Sequence, residues 1–479
     1  MNGMRMLVIA VATAVTSGCA TMIPDYQRPL LPVAEDWRAV TSFGAADNEA
    51  EDEAEAQDRD PLADLVWQDY FLDEGLRGLI AQALEHNRDL RVAALNIENA
   101  RALYNIRRAD LMPGLNAGAT QSAQRVPGDL NATGEAAINR QLSANLGVTA
   151  YELDFFGRVR SLNEQALAQY FGTEEAYRSA RNALVAEVAF AWLSHAGESE
   201  LHALADVTYQ TRQTSLELTQ RNFDAGVVSA LDLSQAQTSL ARARADLARQ
   251  SLRVMQAGNA LDVLVGEAVE RTRLPVQIDD AMTALAGIAP NLPSEVLASR
   301  PDILAAEQQL RAANANIGAA RAAFFPRITL TASAGTASAS LDGLFGSGSG
   351  AWSFIPQISV PIFDGGRLNA NLASAGIQRD IAMNQYEGAI QSAFREVADA
   401  LAERATLAEQ IEAQRNLLAA ATENHRLADA RYSSGLDSYL GLLDAQRTLY
   451  GAEQELIAIR LSDAANRIAL YKSLGGGGR

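Results

Sequence analysis

Two periodicities divide this sequence. Over two long stretches, apolar residues return every three or four positions, the spacing of one face of a helix. In the second stretch Met383, Ile390, Phe394, Val397, Leu401, Ala408, Ile411 and Leu418 form a heptad stripe, interrupted at Arg404 and Arg415. Such a stripe buries one seam against a neighbouring helix. Arg158 to Phe223 and Arg367 to Tyr432 are each about 65 residues. Each would extend ~100 Å as an unbroken helix. Gly172 and Gly197 in the first, and Gly376 and Gly388 in the second, are the places where a bend is expected. The turns that follow, 224–228 and 433–437, are short. Gly226 and Gly435 stand where a helix end needs a left-handed residue, and Ser229 and Ser438 suit the cap of the next helix. Each tract therefore predicts a long helical hairpin.

Ahead of each long helix the apolar period changes to two. Leu142, Ala144, Leu146, Val148 and Ala150 alternate with Ser143, Asn145, Gly147 and Thr149. Ile328, Leu330, Ala332 and Ala334 alternate with Thr329, Thr331 and Ser333. Trp352, Phe354, Ile358 and Val360 alternate with Ser353, Gln357 and Ser359, and 115–125 alternates more weakly. These are strands with one apolar and one polar face, joined by Gly/Ser-rich loops such as 346–350. Two hairpins packed on a soluble core would read this way. So would an outer-membrane barrel, apolar toward lipid and polar toward water. Four strands cannot close a barrel around a water-filled lumen, and open edges are forbidden inside a bilayer. If the strands meet lipid, several chains must share one barrel, and three chains would supply twelve strands.

Proline and local matches show a duplication. No Pro occurs between Pro127 and Pro275, or after Pro361. Gly157-Arg158 matches Gly366-Arg367 and Ala236-Gln237 matches Ala445-Gln446 at the same offset. Between them, 223–231 matches 432–440. Arg108-Ala109-Asp110-Leu111-Met112-Pro113 pairs with Arg321-Ala322-Ala323-Phe324-Phe325-Pro326 at a slightly longer offset, which a loop absorbs. The unit occurs twice.

Composition narrows the function. A net charge of −18 over 479 residues, with no cluster of Lys and Arg, speaks against a nucleic-acid partner. Arg5 and the apolar run 6–15 form an export signal too short to span a bilayer. Thr16-Ser17-Gly18 then precede Cys19, the only Cys in the chain. Small residues before a Cys resemble a bacterial lipoprotein cleavage site, and Ala20 after it favours sorting to the outer membrane. An ordinary secretory signal with an incidental Cys is the alternative. One Cys allows no disulfide within the chain. No later segment has the apolar length of a membrane helix, so a membrane would be crossed by strands.

Catalytic patterns are weak. His195 and His202 share a helix stripe with Glu198, a face with metal-ligand spacing, but Leu184 and Val188 lie on the same stripe and seam packing accounts for them. No phosphate-binding glycine loop follows a strand and no nucleophile elbow appears. The expectation is no catalytic residues, no cofactor and no metal.

Four motifs in order carry a family resemblance: Arg300-Pro301-Asp302-Ile303 with Ala306-Glu307; Phe324-Phe325-Pro326-Arg327-Ile328; Pro361-Ile362-Phe363-Asp364-Gly365-Gly366-Arg367; and Arg431-Tyr432-Ser433-Ser434-Gly435 with Leu443-Asp444-Ala445-Gln446. Ser299 is a candidate cap for the helix that Pro301 opens. From Trp67 to Leu474 the chain resembles the TolC and OprM outer-membrane factors, most closely their NodT-type efflux lipoproteins. The resemblance implies a mainly α fold with a membrane β-barrel. Long coiled-coil hairpins and four strands per chain would contribute to a shared twelve-strand trimeric barrel. It also implies a periplasmic adaptor and an inner-membrane pump of the resistance-nodulation-division type as partners, with passive exit of small molecules. The expected organisation is a lipoprotein signal (1–18), a lipidated extended segment with an acidic loop (19–66), a first repeat (67–268), a linker (269–291), a second repeat (292–474) and a flexible tail (475–479). The implied adaptor-docking tips are Gly226, Val227, Val228 and Ser229, and Gly435, Leu436, Asp437 and Ser438. The implied gate residues are Asp232, Asp437 and Asp444, whose like charges around a three-fold axis would raise their pKa values. A non-channel periplasmic lipoprotein, acting as helical spacer or adaptor, is the alternative function.

Overall fold

A computed structural model describes residues 21–34, 37, 66–279, 285 and 294–476. Cys19, the export signal and the acidic run 45–60 lie outside them. In chain order the elements are α1 (Trp67–Tyr70), α2 (Glu74–His86), α3 (Arg88–Ala109), β1 (Leu115–Val126), β2 (Ala137–Glu152), α4 (Arg158–Asp224), α5 (Ala230–Val265), α6 (Pro301–Ala322), β3 (Arg327–Ser338), β4 (Gly350–Ser359), α7 (Arg367–Ser433) and α8 (Tyr439–Ser473). The duplication is plain: α4 and α7 are each 67 residues long.

No glycine interrupts these two helices. A side chain at Gly172 would press on Gln308 and Gln309, and one at Gly197 on Leu461, so both serve close packing. On α7 the predicted stripe holds through Ile390, Val397 and Leu401, which are buried. Beyond Arg404 it slips: Leu407 is buried and Ala408 exposed. A straight α-helix drifts against a heptad, and the seam follows the helix.

The chain divides into two units, and the first, Asn96–Glu174 and Ala305–Tyr386 with the N-terminal residues to Leu30, carries the sheet. Its strands are antiparallel in the order β1-β2-β3-β4. The register places Ala117 beside Leu146, Leu146 beside Ala334 and Ala334 beside Trp352. Ile328 faces Ile358, and Ala332 faces both Val148 and Phe354. One apolar face therefore runs across all four strands. The other face aligns Thr120 with Ser143, Gly147 with Ser333 and Ser333 with Ser353. The predicted alternation fails at one point. Val148 pairs with Ala332 but the next partners are Tyr151 and Leu330, so β2 carries one extra residue there. Ala150, expected on the apolar face, instead adopts a φ of 52° in this bulge and donates its N–H to Thr331 Oγ1 at 3.1 Å. β1 and β4 are the edges, each paired on one side only among the described residues.

The second unit, Leu31–Leu95, Glu175–Leu304 and Glu387–Arg479, has an aromatic centre. Tyr70 and Tyr471 stack at 4.4 Å and Phe71 meets both rings edge-on. Arg300, of the Arg-Pro-Asp-Ile motif, is buried and ties three places together. It donates to Asp302 at 2.7 Å, to Glu396 at 2.9 Å and to the Ser473 carbonyl at 2.6 Å. It thus satisfies an orphan carbonyl at the end of α8. Ser299, expected to cap α6, donates instead to the Val296 carbonyl at 2.7 Å, because 294–299 forms its own 3₁₀ turn. The expected tail is partly anchored: Asn182 donates to the Gly475 carbonyl and Tyr471 to that of Gly476, both at 2.6 Å.

Candidate functional site: the hairpin tips

Both tips lie in the second unit and share one backbone solution. Gly226 and Gly435 each adopt a φ of 73°, the left-handed region that favours glycine. Val227 N–H donates to the Asn222 carbonyl at 2.8 Å and Gly226 N–H to that of Phe223 at 2.9 Å. Leu436 and Gly435 repeat the pattern on Arg431 and Tyr432, both at 2.9 Å. These paired bonds close a helix C-terminus in the Schellman manner. The closure leaves Val227 73% and Leu436 69% exposed. An apolar residue held outward at each turn, with Leu231 and Leu440 also exposed nearby, is a surface suited to a partner.

The side chains around the two turns differ. Ser229 caps α5 through a capping box: its hydroxyl accepts from Asp232 N–H at 3.2 Å, and the Asp232 carboxylate accepts from Ser229 N–H at 3.1 Å. Ser438, expected to act alike, makes no side-chain cap bond. Gly441 stands where a reciprocating carboxylate would be, so the box cannot form. Asp437 pairs with Arg431 across the second turn, with a further contact of 3.1 Å. That hydrogen bond and charge hold the Asp437 carboxyl below the usual carboxylate range. Within one chain the charge nearest Asp437 is a cation; the expected rise concerns three copies around an axis, which a single chain does not contain. The first tip has Asn222 and Val228 at the matching positions and carries no such pair. Asp444 is exposed on α8, and among the described residues no ion pair holds it.

Behind the turns a small core brings the two hairpins together. Ala236, Tyr439, Leu442 and Leu443 are buried against Leu216, Ala428 and Tyr432. The Tyr432 and Tyr439 rings meet edge-on at 5.5 Å. Arg212 is buried beside Tyr439, and desolvation pulls its pKa below the ordinary guanidinium value. Arg212 belongs to no motif, and nothing in the order of residues points to it. Arg431, by contrast, lies inside the tip motif, and its spacing to Asp437 spans one turn.

The two histidines meet separate polar partners. His195 Nδ1 lies 3.3 Å from the Pro275 carbonyl and His202 Nε2 lies 3.1 Å from Ser251 Oγ. Among the described residues no three His, Cys, Asp or Glu side chains converge on a metal site. No helix among them is long and apolar enough to cross a membrane.

A family model described as outer membrane efflux protein matches residues 79–267 and 292–476, one span in each half of the duplication. The chain belongs to the outer membrane efflux protein family. Its place is the outer membrane and its role is efflux. The toluene efflux pump outer membrane protein TtgC of Pseudomonas putida is 47% identical over 473 residues, which cover 98% of this chain and 95% of that protein. A crystal structure of a membrane protein from Pseudomonas aeruginosa superposes with a TM-score of 0.87 at 45% identity, covering 95% of this chain and 100% of that one. The open state of the Neisseria gonorrhoeae MtrE outer membrane channel gives a TM-score of 0.81 at 38% identity, covering 96% and 99%. The mainly helical, duplicated chain with four strands that the sequence predicts is the fold shared with these channels.

Proposed function

We propose that this chain is one third of a homotrimeric exit duct for small molecules, anchored in the outer membrane by strands and by a lipid on Cys19. The observation that carries the reading is the sheet: one apolar face across all four strands, one polar face and two edges that pair on one side only among the described residues. A lipid-facing sheet must pair its edges. Joining β1 of one protomer to β4 of the next meets that demand with three copies and twelve strands. The polar face of Thr120, Ser143, Ser333 and Ser353 then lines the lumen. The long hairpins continue the duct into the periplasm, and no step of chemistry is assigned to the chain. Energy comes from an inner-membrane pump of the resistance-nodulation-division type, coupled through a periplasmic adaptor. The TtgC relative is named for toluene efflux, which supports an apolar small-molecule cargo here.

The adaptor docks at the two tips in this reading, since each turn holds an apolar side chain outward. Val227→Asp or Leu436→Asp is expected to abolish efflux-dependent resistance while the trimer still forms. The check is growth on a toxic substrate beside the oligomeric state in detergent. Wild-type resistance in both variants would remove the tips as the docking surface. Asp232, Asp437 and Asp444 lie at or just beyond the turns and are the proposed gate, with Asp444 the carboxylate freest to act on passing ions.

A further inference from the structure

Residues Thr21 to Arg28 form a strap laid antiparallel along α6. Its seat is built for it. A side chain at Gly318 would put its Cβ 2.6 Å from Ile23 Cγ1 and 2.8 Å from Ile23 N, so only glycine admits the strap there. One turn earlier on α6, Asn314 donates to the Pro24 carbonyl at 2.8 Å. Further back, Glu307 is the clasp. Its side chain is 4% exposed and takes an ion pair from Arg28 at 3.0 Å and another from Arg311 at 2.8 Å. Tyr26 donates to it at 3.1 Å, and the Arg311 guanidinium lies 4.5 Å over the Tyr26 ring. Burial, and then Glu307, push the Tyr26 hydroxyl up to about 12, so it stays a donor. A buried carboxylate with three partners resists displacement, because removing any one leaves its buried charge under-compensated.

The strap fixes where Thr21, Met22 and Ile23 lie. Met22 and Ile23 form one wall of a cavity of about 580 Å³, whose other walls include Phe324, Phe325 and Leu372. This is the place where α6 gives way to β3, at the foot of the sheet. The lining is mainly hydrocarbon, and Phe324 and Phe325 are only half covered. Cys19 precedes Thr21 by two residues, a chain reach of about 7 Å.

We infer that the strap is a positioning device for the lipid anchor, and that one acyl chain carried by Cys19 lies in this cavity rather than free in the bilayer. The inference rests on the proposed lipidation of Cys19. This occupant is favoured over a free phospholipid on two grounds. Covalent attachment two residues away gives the acyl chain a high effective concentration at the cavity. Burying its methylenes against Phe324, Phe325 and Leu372 is favourable where those side chains would otherwise stay part-exposed.

Cells fed a diazirine-bearing fatty acid place the probe on Cys19 and on phospholipids alike. Irradiation, purification and digestion then report what each probe touched. The expected result is a cross-link joining the Cys19 lipopeptide to the peptides that carry Phe324, Phe325 or Leu372. Cross-links from those residues to phospholipid alone overturn the inference. So does an acylated Cys19 that cross-links only to phospholipid. An unmodified Cys19 in the mass of the mature protein overturns the anchor itself, and the inference with it. In Glu307→Ala the clasp is gone, and the cross-link yield should fall severalfold with Cys19 still acylated. An unchanged yield contradicts the positioning role. Should that variant not fold, Leu372→Glu, which makes the cavity polar without touching the clasp, is expected to lower the same yield, and an undiminished yield there counts equally against the seat.

Discussion

At the two tips the same glycine does the same work, while the side chains around it differ. Gly226 and Gly435 were readable because a short turn between two helices needs a left-handed residue. The Ser229 cap was readable for the same kind of reason. The absence of a cap bond at Ser438 was not, because the Gly441 N–H that a capping hydroxyl would accept from donates instead to the Ser438 carbonyl at 3.2 Å. The Arg431–Asp437 pair is not legible in the sequence, because six residues separate the two and only the closed turn brings them together. With Arg431 beside it, Asp437 contributes little net charge, and Asp444 carries more of the field at the proposed gate. In planar bilayers Asp444→Ala should reduce cation selectivity and block by divalent cations. Asp437→Ala should act in the same direction by leaving Arg431 uncompensated. Wild-type selectivity, divalent block and resting conductance in the double variant would remove both residues from the gate. Arg300 belongs to the same scale. Its bonds to Asp302, Glu396 and the Ser473 carbonyl hold α6, α7 and the end of α8. Glu396 and Asp302 are about half exposed, which weakens their share. Arg300→Ala should therefore cost about 2–3 kcal/mol. Thermal unfolding in detergent checks this, and an unaltered midpoint would contradict the clamp.

Among the elements, period alone located most of the fold. The long helices and the four strands, β1 the most weakly, were legible because each keeps one period over many residues. The bulge in β2 was not, since Thr149 and Ala150 continue the alternation in letters while the backbone breaks it. The shift of the α7 seam at Leu407 was hidden for a similar reason: Leu407 and Ala408 are both apolar, and only packing chooses between them. The strap at Thr21–Arg28 left no periodic signal at all. Its contacts come from residues about three hundred positions away. The sheet predicts a clear asymmetry between its faces. Arg placed at Leu146, Ile328 or Leu330 should cost about 2–4 kcal/mol if near mid-bilayer, whereas Lys at Thr329 should be tolerated and alter conductance. Heat-modified mobility of the folded species reads the first effect and single-channel recording the second. Equal tolerance on both faces would mean that neither face meets lipid.

For the whole molecule, the decisive feature is incompleteness. A meander of four strands with an apolar face cannot stand alone in a bilayer, and helical hairpins with outward apolar tips have no reason to be exposed without a partner. The duplication explains how one chain supplies two similar hairpins and two strand pairs. It does not close the barrel. A helical spacer lipoprotein would need neither the register-matched apolar face nor its open edges, and would leave the membrane once its lipid site was removed. The most direct test is the native mass of the detergent-solubilised protein, carrying Cys19→Ser behind an otherwise cleavable signal so that neither a lipid nor a retained signal anchors it, with its helix content followed alongside. The account predicts a membrane-extracted trimer that retains its helices. A folded monomer, released into buffer without detergent, would contradict it.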